Sequence, residues 1–169
     1  MNAGGLSGGS AASLSPEELM REALRLAEEA AREGEVPVGA IAVSGGKVIA
    51  AGRNRRELGK NALCHAELEA IDGACRALGG WRLWQCSLYV TLEPCPMCAG
   101  AIINARVPRL VFGARDPKAG SCGSVVNLFD LPYNHKPEIV PGVLEEECSR
   151  LLTRFFQDLR KQKNKGKGL

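Results

Sequence analysis

No stretch of this 169-residue chain approaches the eighteen or so uncharged apolar residues that crossing a bilayer requires. The N-terminus has neither the basic start nor the apolar core of a secretory signal, so a cytoplasmic protein is expected. Aromatics are few, and the formal net charge of +3 is too small to establish a polyanionic partner by itself. No internal repeat is found. An even cysteine set in an exported chain would suggest a disulfide framework; here there are seven cysteines and no export signal, so free thiols or metal ligands are the better reading. The length suits one domain that buries most of its unfolded surface and leaves no room for a second.

Residues 1–14 are mostly Gly, Ser and Ala and are expected to form a flexible leader, with the folded domain over 15–163 and a basic flexible tail over 164–169. Ser15-Pro16-Glu17-Glu18 reads as a capping box with Pro at the first helical position, opening a helix that Gly34 stops. The runs 36–43 and 48–51, joined by Gly45-Gly46, read as an antiparallel hairpin. A helix over 65–78, a strand over 87–92, a short helix over 97–105 with Pro96 at its start and a strand over 109–113 follow. Residues 138–140 suit an edge strand before Pro141. The apolar stripe Cys148, Leu151, Leu152, Phe155 and Leu159 predicts a closing helix with most of that stripe in the core. This order implies a three-layer α/β/α sandwich on a mixed five-stranded sheet.

Two short patterns carry chemistry when taken together: His65-Ala66-Glu67 at one helix start and Pro94-Cys95-Pro96-Met97-Cys98 at another. Either alone occurs by chance. Paired, two soft thiolates and an imidazole select zinc and leave a fourth tetrahedral position for water, which is the catalytic rather than the closed structural pattern. Cys95 and Cys98 are three residues apart at a helix N-terminus, where the dipole favours thiolates. Two thiolates and a neutral imidazole cancel the charge of Zn²⁺, so the bound water is acidified less than by three histidines and a separate base is needed. Glu67, two residues past His65, fills that role. The bland reading, a first-turn acid beside unrelated thiols, must explain both halves independently. Cys64, Cys75, Cys86 and Cys148 are expected not to be ligands; Cys122, in the Gly-rich loop 118–123, is left open.

These two patterns resemble the cytidine deaminase superfamily. With the segments 35–40, 88–95 and 111–116, Asn54 and Asn134-His135, the chain is similar from about Ser15 to Lys163 to the bacterial tRNA-specific adenosine deaminases. The resemblance implies a cytidine deaminase-like fold and one zinc per subunit of a homodimer. Its substrate would be a tRNA anticodon stem-loop, whose wobble adenosine becomes inosine as zinc-bound hydroxide attacks adenine C6 and ammonia leaves. Glu67 would protonate N1 and then the leaving amine. Asn54 would hold the nucleotide and Asp116 the ribose, although each residue type also serves as a turn former. Phe155 and Phe156 resemble the paired aromatics near the family's C-terminus, Phe156 being the freer ring by spacing, and Lys118 with the basic tail would meet phosphates. Ala62-Leu63-Cys64 before His65 departs from the family's pattern, which bears on the pocket wall and not on the metal site. The alternatives are a free-base or nucleoside deaminase for guanine or cytidine, which shares both patterns, and a zinc-stabilised RNA-binding domain without catalysis.

Overall fold

A computed structural model describes residues 13–166. The expected leader therefore lies outside it except for Ser13 and Leu14, as do residues 167–169, including Lys167 of the basic tail. The capping box forms as read, with the Ser15 hydroxyl accepting from the Glu18 N–H and the Glu18 carboxylate accepting from the Ser15 N–H, and opens α1 (Pro16–Arg32). Gly45 and Gly46 both take positive φ, 57° and 75°, in the turn between β1 (Gly39–Ser44) and β2 (Lys47–Arg53). The chain continues through α2 (Ala66–Leu78), β3 (Cys86–Leu92), α3 (Pro96–Asn104), β4 (Arg109–Ala114), β5 (Glu138–Val140) and α4 (Glu145–Lys165). The segment near 125–128, which sequence leaves ambiguous, is loop leading into a single 3₁₀ turn at Leu128–Asp130.

The five strands lie in the order β2-β1-β3-β4-β5. β1 pairs antiparallel with both β2 and β3, whereas β3–β4 and β4–β5 are parallel. Strand periodicity divides the core between the two faces. Ala40, Ala42, Leu88, Val90, Leu110 and Phe112 point to α2 and α3, while Ile41, Val43, Tyr89 and Val111 point to α1 and the start of α4. The mixed sheet between two helical layers is the predicted architecture. Among the described residues no helix is long and apolar enough to cross a membrane.

Two features of this frame place the site. β3 is where the sheet changes from antiparallel to parallel pairing, and the crevice outside the carboxyl end of such a strand is where α/β sheets bind ligands. The first turn of α2 also rests directly on β2: a Cβ at Gly52 would lie 2.3 Å from the Ala66 carbonyl oxygen and 2.6 Å from Glu69 Cβ. Only glycine allows that approach, and it carries His65 and Glu67 to the end of the sheet.

The expectation for α4 needs correction in two respects. Of its apolar stripe Cys148 is buried and Leu151 and Leu152 pack half-buried against the same core, so the expectation holds for that part. Phe155 and Leu159, also half-buried, lie outside that core and line an open groove with Ala31 and Gly34 at the end of α1. The helix also continues through Lys165, so Asn164 and Lys165 of the expected tail are helical.

Candidate active site

His65 is the extended N-cap residue of α2 and Cys95 that of α3, and neither side chain caps its own helix. Both are thus free to turn toward the same point. Pro96 at the first position of α3 fixes the turn that brings Cys98 round beside Cys95. The ligand atoms of His65, Cys95 and Cys98 all lie within 4.8 Å of one another. His65 Nδ1 is 3.7 Å from Cys95 Sγ and 3.4 Å from Cys98 Sγ. Tetrahedral zinc with ordinary bond lengths places nitrogen and sulfur ligands about 3.6 Å apart, so the donor set fits the ion that the sequence implies.

The electrostatics of the trio without metal point the same way. The hydrogen bond from Cys98, and next that from His65, hold the Cys95 thiol down at about 4, while the bond to the Cys95 thiolate and burial drive Cys98 upward. The His65 imidazole is raised, chiefly by its hydrogen bond to Cys95. The cluster keeps protons that a divalent cation would displace.

Glu67 is 4 % exposed, and burial pushes its carboxyl up to about 7. That folded value lies above the unfolded 4.5, so the fold favours the protonated form. In metal-free protein the side chain is neutral to stability below about pH 4.5 and becomes a penalty as pH rises through 7, reaching about 3 kcal/mol. Metal-free Glu67→Gln is accordingly expected to be more stable than wild type by about that amount above pH 7 and equal to it near pH 4. Denaturant titrations of both proteins across that range measure it; a gap that does not change with pH would contradict the assignment.

A cleft of about 200 Å³ opens beside these groups. His65, Glu67 and Cys95 line it together with Val36, Val38, Asn54 and Arg56 from the segments around β1 and β2, and Glu93, Asp116 and Ala119 from the segments after β3 and β4. The volume is below that of drug-sized pockets and suits a single flat heterocycle. Asn54 and Asp116, singled out from sequence, both line it, yet both also do the work of turn residues. The Asn54 amide donates to Val36 O at 3.1 Å and accepts from Arg56 N at 3.1 Å, and Asp116 Oδ1 accepts from the N–H groups of Lys118 and Ala119. Lys118 faces a separate concavity with Thr153, Phe156 and Arg160. Phe156 is 40 % exposed and packs edge-on to Phe155, with ring centroids 5.5 Å apart.

Cys122 is buried in the core, outside the ligand cluster, and its backbone N–H donates to Glu93. Cys64, Cys75, Cys86 and Cys148 are likewise outside that cluster. Sequence reasoning missed Val36, Val38 and Arg56 as lining residues, and with them two carboxylates, Glu35 and Glu93, each 1 % exposed. Glu35 accepts from the N–H groups of Glu57 and Leu58 and anchors the loop between β2 and α2. Their one sequence signal was an acid directly flanking an apolar strand or a Pro-Cys turn.

The model of the MafB19-like deaminase family matches residues 14–160. The tRNA-specific adenosine deaminase of Bacillus subtilis is 52% identical over 145 residues, which is 85% of this chain and 90% of that protein. A structure solved in a study of A-to-I editing by tRNA:A34 deaminases at the wobble position superimposes with a TM-score of 0.77 at 45% identity, covering 79% of this chain and 98% of its own. The guanine deaminase of Nitrosomonas europaea has a TM-score of 0.69 at 26% identity, over 83% of this chain and 84% of its own.

Proposed function

The chain belongs to the MafB19-like deaminase family, and from that premise we propose that it converts the wobble adenosine of a tRNA anticodon to inosine by hydrolysis, releasing ammonia. The observation that carries this reading is the buried Glu67 carboxyl beside a His/Cys/Cys cluster in a cleft sized for one base. A base inside a stacked loop cannot reach such a cleft, so the target nucleotide must be turned out into it.

His65, Cys95 and Cys98 would hold one zinc ion per subunit, their ligand atoms lying within 4.8 Å of one another. Bound there, zinc supplies Lewis acidity that makes a water nucleophilic near neutral pH. The remaining steps belong to the chain. Glu67 takes one proton from the attacking water and delivers it to adenine N1; it then takes the remaining proton from the new C6 hydroxyl and gives it to the departing amine, so that the C6–N bond breaks, C6=O forms and ammonia leaves. Burial raises the proton affinity of this carboxyl, which suits a group that carries a proton between the two transfers. The walls keep the base dry and oriented, with Asn54 against the nucleotide and Asp116 toward the ribose. Phe156 and Phe155 with Lys118 and Arg160 offer stacking surface and positive charge to the loop outside the cleft, and the exposed Lys161, Lys163 and Lys165 extend that charge along α4. Such a partner is met in the cytoplasm.

The working unit is a homodimer. α3 is apolar on every side, and a helix of that kind is normally covered all round. Its Cys98, Ala99, Ile102 and Ile103 face the core with Ala101 packed against it, but Met97 and Gly100 stand half-buried, a Cβ at Gly100 would meet nothing within 4 Å, and Leu58 and Leu63 are exposed on the loop leading to His65. Light scattering of the purified protein is expected to give twice the chain mass; a stable monomer at micromolar concentration removes the dimer from the proposal.

Inosine formation decides the substrate. An anticodon stem-loop with a wobble adenosine is the expected substrate, with free adenosine, cytidine and guanine supplied in parallel as the competing reading. Deamination of free bases or nucleosides alone would sink it. Affinity for the stem-loop should fall steeply with salt, since phosphate contacts release counterions.

A further inference from the structure

We propose that Glu93 is a positioning residue that locks the Asp116–Ser124 wall of the cleft onto the turn bearing the metal ligands. The proposal rests on the deaminase reading above and extends it to how the substrate wall is held.

The pairing of β3 with β4 ends at Leu92 and Ala114, where both strands leave the sheet. Beyond that point the ladder no longer holds the segment that carries Asp116 and Ala119 into the cleft. Glu93 takes over at that place. Its own N–H donates to Ala114 O at 2.8 Å. Its carboxylate then gathers four donors: Oε2 accepts from Asp116 N at 3.0 Å and from the Ser124 hydroxyl, and Oε1 accepts from Cys122 N at 3.2 Å and Ser124 N at 3.0 Å. The next residue continues the tie, since Pro94 O accepts from Ser121 N at 2.8 Å, and the one after is Cys95.

Three features mark this as a built arrangement. The carboxylate is buried, and among the described residues it has no cationic partner, so its charge is supported by these donors alone. The loop comes so close that a Cβ at Gly120 would lie 2.2 Å from Glu93 Oε2 and 2.5 Å from Asp116 O, so only glycine lets the segment close round the acid. An ionised carboxyl is also the one side chain of this size that accepts on every side; an amide in its place would turn an NH₂ toward N–H donors. Glu93 itself lines the cleft, so the wall and the metal-ligand turn meet at one residue.

The test compares zinc-loaded full-length wild type, Glu93→Gln and Ser124→Ala at a temperature where each is folded. Three quantities are measured: zinc per chain, amide exchange at Asp116, Cys122 and Ser124, and the separate kcat and KM for the anticodon stem-loop. E93Q is expected to keep one zinc, exchange those amides about tenfold faster or more, and raise KM about tenfold with kcat within about threefold. S124A keeps the three backbone donors and is expected to raise KM about threefold with zinc and kcat unchanged. A folded E93Q with unchanged exchange and KM overturns the proposal, and so does a joint fall of zinc content and kcat, which would make Glu93 a support of Cys95 alone. Should E93Q not fold, unaltered exchange and KM in S124A overturn it equally. A wild type inactive on the stem-loop defeats the functional reading, while amide exchange still decides whether Glu93 holds the wall.

Discussion

Glu67→Ala is expected to lower inosine formation by about 10³–10⁴-fold while the protein still binds one zinc per chain. The size of the effect follows from what the residue is asked to do. It sits in the first turn of α2, two residues past a ligand, and lines the cleft with a buried carboxyl whose proton affinity burial raises. A carboxyl so placed can accept a proton from water and return it to the substrate in one turnover, and positioned proton transfer contributes about 10²–10⁴ in rate. Here the same side chain serves two transfers, so the upper half of that range applies. Zinc should stay because the ligand set, His65, Cys95 and Cys98, does not include Glu67. Single-turnover deamination of the anticodon stem-loop together with metal analysis separates the two quantities. Full activity in the zinc-loaded variant would refute the mechanism, and loss of zinc would reassign Glu67 to holding the site together.

The parts of this site that could be read from sequence are those whose geometry is local. His65 and Cys95 are both helix N-caps, Pro96 marks the first turn of α3, and Ser15 with Glu18 opens α1; each is fixed by neighbours within four residues. The positions of the strands were legible in the same local way, from short β-branched runs bounded by Gly and Pro. What was hidden depends on the chain returning to a place it left long before. Glu93 meets its donors 23 to 31 residues further on, and Glu35 meets its own 22 and 23 residues on. No spacing rule anticipates such closures. The Phe155 and Leu159 stripe misled for a different reason, since periodicity shows which side of a helix is apolar and not whether anything covers it. Asn54 and Asp116 offered a choice between turn former and substrate contact, and they line the cleft because their turns build its walls.

Removing zinc, or one of its ligands, is the other perturbation with a large expected effect, and it reaches stability as well as rate. Cys98 is fully buried, and in the metal-free cluster it stays protonated while Cys95 already carries charge. Zinc must therefore displace the Cys98 proton, together with any on His65, so binding should release about one to two protons and tighten as pH rises. A pH-indicator dye during zinc titration reads that release directly. Because zinc binds the folded cluster, free zinc at about a hundred times its dissociation constant stabilises the protein by about 2.7 kcal/mol, or about 5–10 °C in melting temperature for a domain of this size. Cys98→Ser replaces a soft thiolate with a hydroxyl that zinc does not favour. That variant is expected to bind less than about 0.1 zinc per chain, to lose inosine formation, and to melt with chelator-treated wild type whether chelator is present or not. The invariance to chelator carries the argument, since a defect in packing alone would lower the melting temperature and still leave a zinc-dependent rise above it. A Cys98→Ser protein that keeps stoichiometric zinc and its activity would take Cys98 out of the ligand set and leave the catalytic centre to be built from other donors.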